Sequence, residues 1–402
     1  MYTFGGHASR LAPPLFLILM VWLLPGCDDT PVVGDRHSPD DVRIVADTIF
    51  IESTAVVSTP SFSGNRPYVT AGHYDDPVFG NIHATALMRP SISRQTGDTI
   101  VANARARVRF NIDHHYGVEG ESAEFALVEV DRPWRSSSWR YDSIPNLSDR
   151  VIARFTVSGS DSVDVPIENQ EWINAYRSIF LQTSATVRDS LYRANMPGLA
   201  LVASGGADKL ISTEMQNFRF VFEHPENDTL NLEKIASGWA VSLDTDIGPG
   251  QVTDNGVALL NTQRAMLMLD IPFTEDYLGT DMFSRLELVV YEDTLAMQAG
   301  THPNLTRPRS ETSRLFFLES DDLDFAITRD PVTQVNRRSE DQSYRFNLTN
   351  FATDRLYGSP AERRLYLSYG FNDGRVLPML FGNTDNPDIR PRIIITRVSQ
   401  EQ

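Results

Sequence analysis

Three groups of residues carry side chains suited to chemistry. In Gly72-His-Tyr-Asp-Asp-Pro-Val-Phe-Gly80, Asp75, Asp76 and Pro77 form a turn signal, because aspartate accepts backbone hydrogen bonds and proline fixes φ. The same two carboxylates, joined by His73 and backbone carbonyls, could instead hold Ca2+. Trp134 and Trp139 lie in Arg132-Pro-Trp-Arg-Ser-Ser-Ser-Trp-Arg-Tyr141, where indole faces could stack on sugar rings while Arg135 and Arg140 donate to hydroxyls or carboxylates. Packing against a sheet edge is the alternative for that pair. The third group is a single residue, Cys27, the only cysteine of 402 residues.

Catalytic patterns are scarce. Neither Gly-x-Ser-x-Gly, His-Glu-x-x-His nor a phosphate-binding glycine loop occurs. His114 and His115 are adjacent, so on a strand they point to opposite faces and cannot share a metal. Asp244 to Gly250, with Asp254, Asn255 and Gly256, starts like a calcium loop but lacks the closing glutamate, and an acidic turn is the simpler reading. Asp321, Asp322 and Asp324 read as a solvated edge. With 53 acidic residues, no glycosidase pair can be singled out.

Cys27 follows a run of ten apolar residues, Leu15 to Leu24. A bilayer core needs about 20 helical residues, so this length suits a secretory signal rather than a membrane span. The ending Leu24-Pro-Gly-Cys27 resembles the bacterial lipobox. That resemblance implies cleavage after residue 26, lipidation of Cys27 with fatty chains such as palmitate, and a place in the cell envelope, at the outer membrane rather than the inner. Two or more acyl chains, at about 0.8 kcal/mol per buried CH2, hold a protein there stably.

Behind Cys27, residues 27–40 are acidic and broken by Pro and Gly, which describes a flexible tether spanning about 20 Å. Loss of Arg10 with the leader takes the net charge from −17 to −18, which argues against nucleic-acid partners. Lysine occurs only at Lys209 and Lys234, so arginine carries nearly all the positive charge. No disulfide can form within the mature chain, and the core alone must stabilise it.

The elements that position these residues have period two. Apolar side chains alternate at Val42, Ile44 and Ala46; Ala106, Val108 and Phe110; Val151, Ala153 and Phe155; and Val163, Val165 and Ile167. This predicts an all-β fold of antiparallel sheet with one wet face. Between residues 169 and 192 the spacing turns helical, predicting one flanking helix.

Five segments recur in order. Arg105 to Asp113 answers to Arg264 to Pro272, and Ser122 to Val130 to Ser284 to Glu292. Val163, Val165 and Ile167 answer to Tyr344, Phe346 and Leu348, while Leu199 and Leu201 answer to Leu365 and Leu367. Last, Arg219 to Phe222 answers to Arg392 to Ile395. Two homologous β-sandwich domains follow, residues 41–226 and 227–398, joined at His224 to Asp228, with the polar insertion Thr301 to Arg314 as a loop or mobile flap in the second.

Strands like Arg105 to Phe110 and Phe125 to Val130, the tryptophan pair, the strand-helix unit at Val163 to Trp172 and the closing Arg390 to Thr396 look like the DNRLRE-type jelly-roll. Separately, Gly72 to Gly80 is similar to the Gly-x-Tyr-x-Asp-Pro-x-Phe-Gly motif of an uncharacterised family of bacterial surface lipoproteins. The two resemblances imply tandem jelly-roll-like domains in an extracytoplasmic protein that binds or scaffolds rather than catalyses. The expectation is a lipid-anchored, non-enzymatic binding module for glycans. The alternative is a structural subunit docked on another envelope or secretion protein, with a glycan hydrolase a distant third.

Overall fold

The alternating runs fold as strands because their two faces meet different surroundings. In Arg105–Asn111, Ala106, Val108 and Phe110 are buried, while Arg107 and Arg109 point outward and both pair with Asp164 on the neighbouring strand. The computed structural model describes residues 42–400 except 52–53, 160–161, 248–251, 254–255, 270, 272–282, 319–332, 358–363 and 383. Cys27, the leader 1–26 and the tether 27–40 lie outside the described residues, as do Asp254, Asn255, Asp321, Asp322 and Asp324.

In chain order the strands are β1 (Val42–Phe50), β2 (Thr54–Ser58), β3 (Tyr68–Asp76), β4 (Gly80–Pro90), β5 (Arg105–Asn111), β6 (His114–Val118), β7 (Ala123–Val130), β8 (Leu147–Val157) and β9 (Ser162–Ile167). Helices α1 (Gln170–Phe180) and α2 (Ala185–Asn195) precede β10 (Leu199–Gly206), β11 (Lys209–Glu214), β12 (Arg219–Glu223) and β13 (Leu232–Thr245). Then come β14 (Val252–Thr253), β15 (Gly256–Leu260), β16 (Ala265–Leu269), β17 (Phe283–Tyr291), α3 (Thr294–Gln298), β18 (Leu305–Thr306), β19 (Thr312–Leu318), β20 (Thr333–Asn336) and β21 (Ser343–Asn347). The chain ends with α4 (Thr349–Tyr357), β22 (Arg364–Tyr369), β23 (Pro378–Phe381) and β24 (Arg392–Gln400). The fold is an antiparallel β-sandwich. Phe110 of β5 meets Phe155 of β8 at 5.7 Å between ring centroids, and Tyr344 of β21 meets Phe381 of β23 at 6.1 Å, all within one continuous core.

Pairing reveals a repeat. β5 lies between β9 and β12, and β17 lies between β21 and β24. β7 lies between β8 and β10, and β19 between β20 and β22. A helix follows β9 and another follows β21. Three of the expected equivalences hold: β9 with β21, β10 with β22, and β12 with β24. The other two are displaced by an element, since β5 matches β17 rather than β16, and β7 matches β19 rather than β17.

The halves also exchange a strand. β13 pairs through Leu232 to Ile235 with β12 and through Ala236 to Thr245 with β4, closing the first sandwich. Its counterpart in the second is the N-terminal pair, β1 beside β24 and β2 antiparallel to β16. The pairing thus runs across the expected joint at 226/227: β13 lies against β12 and β4, while β1 and β2 lie against β24 and β16. Ala46–Arg397 forms one unit, and the described strand ends, residues 42–45 and 398–400, group as a unit of their own.

The single helix expected over 169–192 is two. Asn169 caps α1 by accepting from the Trp172 amide at 3.0 Å, and Ser184 caps α2 by accepting from Val187, so the periodic run is interrupted at residues 181–184. Trp172, Tyr176 and Phe180 form the buried face of α1, and Tyr176 stacks on Phe222 at 4.7 Å between centroids. No helix among the described residues is long and apolar enough to cross a membrane.

Candidate functional site

The hairpin β3–β4 contains the Gly72 to Gly80 motif, and its residues have structural partners. Gly72 has φ of +127°, and a Cβ there would stand 2.1 Å from the Lys209 carbonyl oxygen of β11, which pairs across it. Gly72→Ala is expected to lower stability by at least about 1–3 kcal/mol from backbone strain alone, read as a fall in melting temperature; an unchanged melt would contradict that role. Asp76 is 1% exposed. Its Oδ1 accepts from the Val78 and Phe79 amides at 2.8 and 3.0 Å, and its Oδ2 accepts from the Tyr116 hydroxyl at 2.7 Å. Arg307, from the insertion in the second half, completes the set with a two-pronged contact at 2.7 and 2.9 Å. Burial, then the adjacent Asp76, holds the Tyr116 phenol well above its ordinary pKa, so it stays a donor. Arg307 also stands 5.7 Å above the Phe79 ring.

The stretch around Arg307, expected as a loop or a mobile flap, is mainly a loop, a strap held by a buried anchor. One expectation is corrected. Asp75, Asp76 and His73 do not form a Ca2+ site: Asp75 is exposed, Asp76 points into the core on the opposite face of β3, and its oxygens are spent. His73 shares the face of Asp75 but is engaged elsewhere. Asn81 can only donate through its Nδ2, so His73 Nε2 accepts at 3.0 Å and Nδ1–H donates to Asp208 at 3.0 Å. Among the described residues no group of three or more His, Cys, Asp or Glu is placed to hold a metal.

The tryptophan pair is also corrected in part. Trp134 is only 4% exposed, with the Arg89 guanidinium 4.9 Å over its ring and Trp139 in T-shaped contact at 5.9 Å between centroids, and that burial leaves no face open to a sugar. Trp139 is half-buried and donates its indole N–H to Ser242 at 3.0 Å. Arg135 is exposed at the start of the short 3-10 turn Ser136–Ser138. Only Arg140 reaches a cavity.

That cavity is a cleft of about 690 Å³ between the loop Arg140 to Leu147, the faces of β4 and β13, and the segment Ser58 to Ser61. Its walls are fixed by backbone pairing. The Tyr141 amide donates to Ser61 O at 3.1 Å, the Leu243 amide donates to Tyr141 O at 2.7 Å, and Phe62 and Arg140 form a bridge. Below them Tyr141 is buried, its hydroxyl donating to Asn372 at 2.6 Å, and Asn372 in turn donates to Ser61 Oγ at 3.0 Å. At the mouth Arg140 Nε donates to Asp142 at 2.8 Å.

The lining is mixed. Hydroxyls come from Ser58, Thr59, Ser61, Thr85, Ser143, Ser242 and Thr245, and the apolar patches from Ile144, Pro145, Leu147 and Ile247. His83 stands opposite Asp244 in register; burial, then the neighbouring His73, lowers its pKa, so it is neutral at pH 7. Thr59 Oγ1 and Gln263 Oε1 in the wall are buried without a hydrogen-bond partner among the described residues. Sequence reasoning missed His83, Thr59 and Gln263, and read Asp244 only as part of an acidic turn. The alternation of Asn81, His83 and Thr85 with Ile82, Ala84 and Ala86 was the available signal, because polar side chains in register on a core strand mark its open face.

No family model matches the chain, and no curated protein does. Over 87% of its length it is similar to the whole of a chain described as a "putative secreted protein" from Parabacteroides distasonis, at 8% identity and a TM-score of 0.20. Over the same share it is similar to 91% of a chain named BspA_C_WT, at 9% identity and a TM-score of 0.15.

Proposed function

We propose that this chain is a lipid-anchored protein of the cell envelope, held at the outer membrane through Cys27, that binds a glycan in the cleft beside Arg140 without catalysing its cleavage. The observation that supports this reading is the cleft's lining: hydroxyls converging from four segments, two unpartnered polar atoms, and a guanidinium–carboxylate pair at the mouth. A polyhydroxylated ligand satisfies such groups, since each hydroxyl both donates and accepts. Hydrogen bonds to charged groups contribute about 1.5–3 kcal/mol. Arg140→Ala with Asp142→Ala is therefore expected to weaken binding by about tenfold or more, seen as lost retardation in a polysaccharide affinity gel. Trp134→Phe is expected to leave retardation intact. An unretarded parent protein, or equal retardation of the Arg140/Asp142 variant, would contradict the reading.

One observation favours a second reading, docking on an envelope protein. Ile144 is 87% exposed at the cleft rim, beside Pro145 and the partly exposed Leu147. Ile144→Asp would then abolish co-purification of a stoichiometric partner from membranes while sparing retardation by polysaccharide.

A further inference from the structure

In this acidic chain several arginines face carboxylates. Arg107 and Arg109 share Asp164, Arg375 sits on Asp373, and Arg309 and Arg337 converge on buried Glu292. Three others stand together at one concavity. Arg89 near the end of β4, and Arg188 and Arg193 on α2, line one pocket of about 420 Å³ with Ser91, Ser93 and Ser237. None of the three forms an ion pair among the described residues.

The placement is built rather than accidental. Tyr192 of α2 donates to Pro90 O at 2.5 Å, and Tyr176 of α1 donates to Ser91 O at 2.5 Å, fixing both helices over the end of β4. Arg188 is only 9% exposed; one Nη donates to Gln182 O at 2.8 Å, while its Nε is buried with no partner. Arg89 Nε is likewise buried and unpartnered. Burial lowers the Arg89 pKa, the nearby Tyr192 opposes this, and the Arg193 charge adds to it. Buried donors left unspent cost desolvation energy, and like charges around a concavity repel most where water is thin. Asp189 at the rim is exposed and forms no ion pair with them among the described residues, so it leaves the excess charge in place.

We propose that this pocket binds a tetrahedral oxyanion, sulfate or phosphate, either free or as the ester group of a larger ligand. Guanidinium forks match two oxygens of such an anion, and the Ser91 and Ser93 hydroxyls can donate to the others. The pocket shares no lining residue with the cleft beside Arg140, so it stands whether or not that cleft takes a glycan.

Isothermal titration of the full-length protein at low ionic strength, with sodium sulfate, inorganic phosphate and glucose 6-sulfate, tests the assignment. Saturable binding is expected, weakened by about tenfold or more in both Arg193→Glu and Arg89→Gln. Arg193 is exposed, so its variant is expected to melt like the parent, which separates lost binding from lost fold. Tighter binding of glucose 6-sulfate than of the inorganic ions identifies an ester as the source; equal binding identifies the free ion. The proposal is overturned if none of the three probes saturates the parent protein, or if Arg193→Glu and Arg89→Gln bind as the parent does.

Discussion

Replacing Arg307 by leucine is expected to destabilise the protein by about 3–5 kcal/mol, because it leaves a buried carboxylate without its counter-charge. The side chains of Arg307 and Asp76 are 8% and 0% exposed, and the pair is bidentate. Tyr116 and two backbone amides also donate to Asp76, so the aspartate cannot turn outward to solvent without breaking the hairpin. The sign of the double variant is informative. Asp76→Asn with Arg307→Leu removes both charges, and its cost is expected to be smaller than the sum of the single costs, by 0.5–3 kcal/mol or so. Denaturant unfolding followed by tryptophan fluorescence measures all three. Additive costs, or an Arg307→Leu variant as stable as the parent, would show that the strap does not lock the motif hairpin.

A cut at the apparent joint is expected to be more damaging still. Residues 41–226 alone retain β1 and β2, whose partners β24 and β16 lie in the other half, and lack β13, which covers the edges of β12 and β4. That fragment is expected to aggregate or to melt without a cooperative transition, since both edges present unpaired backbone. Residues 59–245 drop the donated strands and keep the received one but lose Arg307, so this fragment is expected to melt cooperatively with its stability lowered by about 3–5 kcal/mol. Circular dichroism melts of the two fragments decide it. A sharp transition in 41–226 and none in 59–245 would refute the strand exchange.

The strands were legible because one face of each is wet. Arg105, Arg107 and Arg109 between Ala106, Val108 and Phe110 leave little choice of conformation. The partners of those strands were not legible, for the same reason: short alternating runs resemble one another. Arg105 to Asp113 matches Arg264 to Pro272 in pattern as well as it matches β17, and only hydrogen bonding separates them. The exchange of β13 for β1–β2 leaves no local trace, as either strand fits either sandwich in composition. At the site, Asp76 was readable as a turn former but not as the anchor of an arginine 231 positions away. Trp134 with its arginines reads alike in a packed corner and on a sugar platform, and burial alone distinguishes them.

Hydrogen–deuterium exchange of the protein with and without a retarding polysaccharide bears most directly on the function proposed for the cleft. Slowed exchange is predicted in residues 58–61, 81–85, 140–147 and 242–245, which wall the opening, with α1 unchanged. Protection confined to other surfaces, or no protection at concentrations that retard the protein in a gel, would contradict the assignment of this cleft.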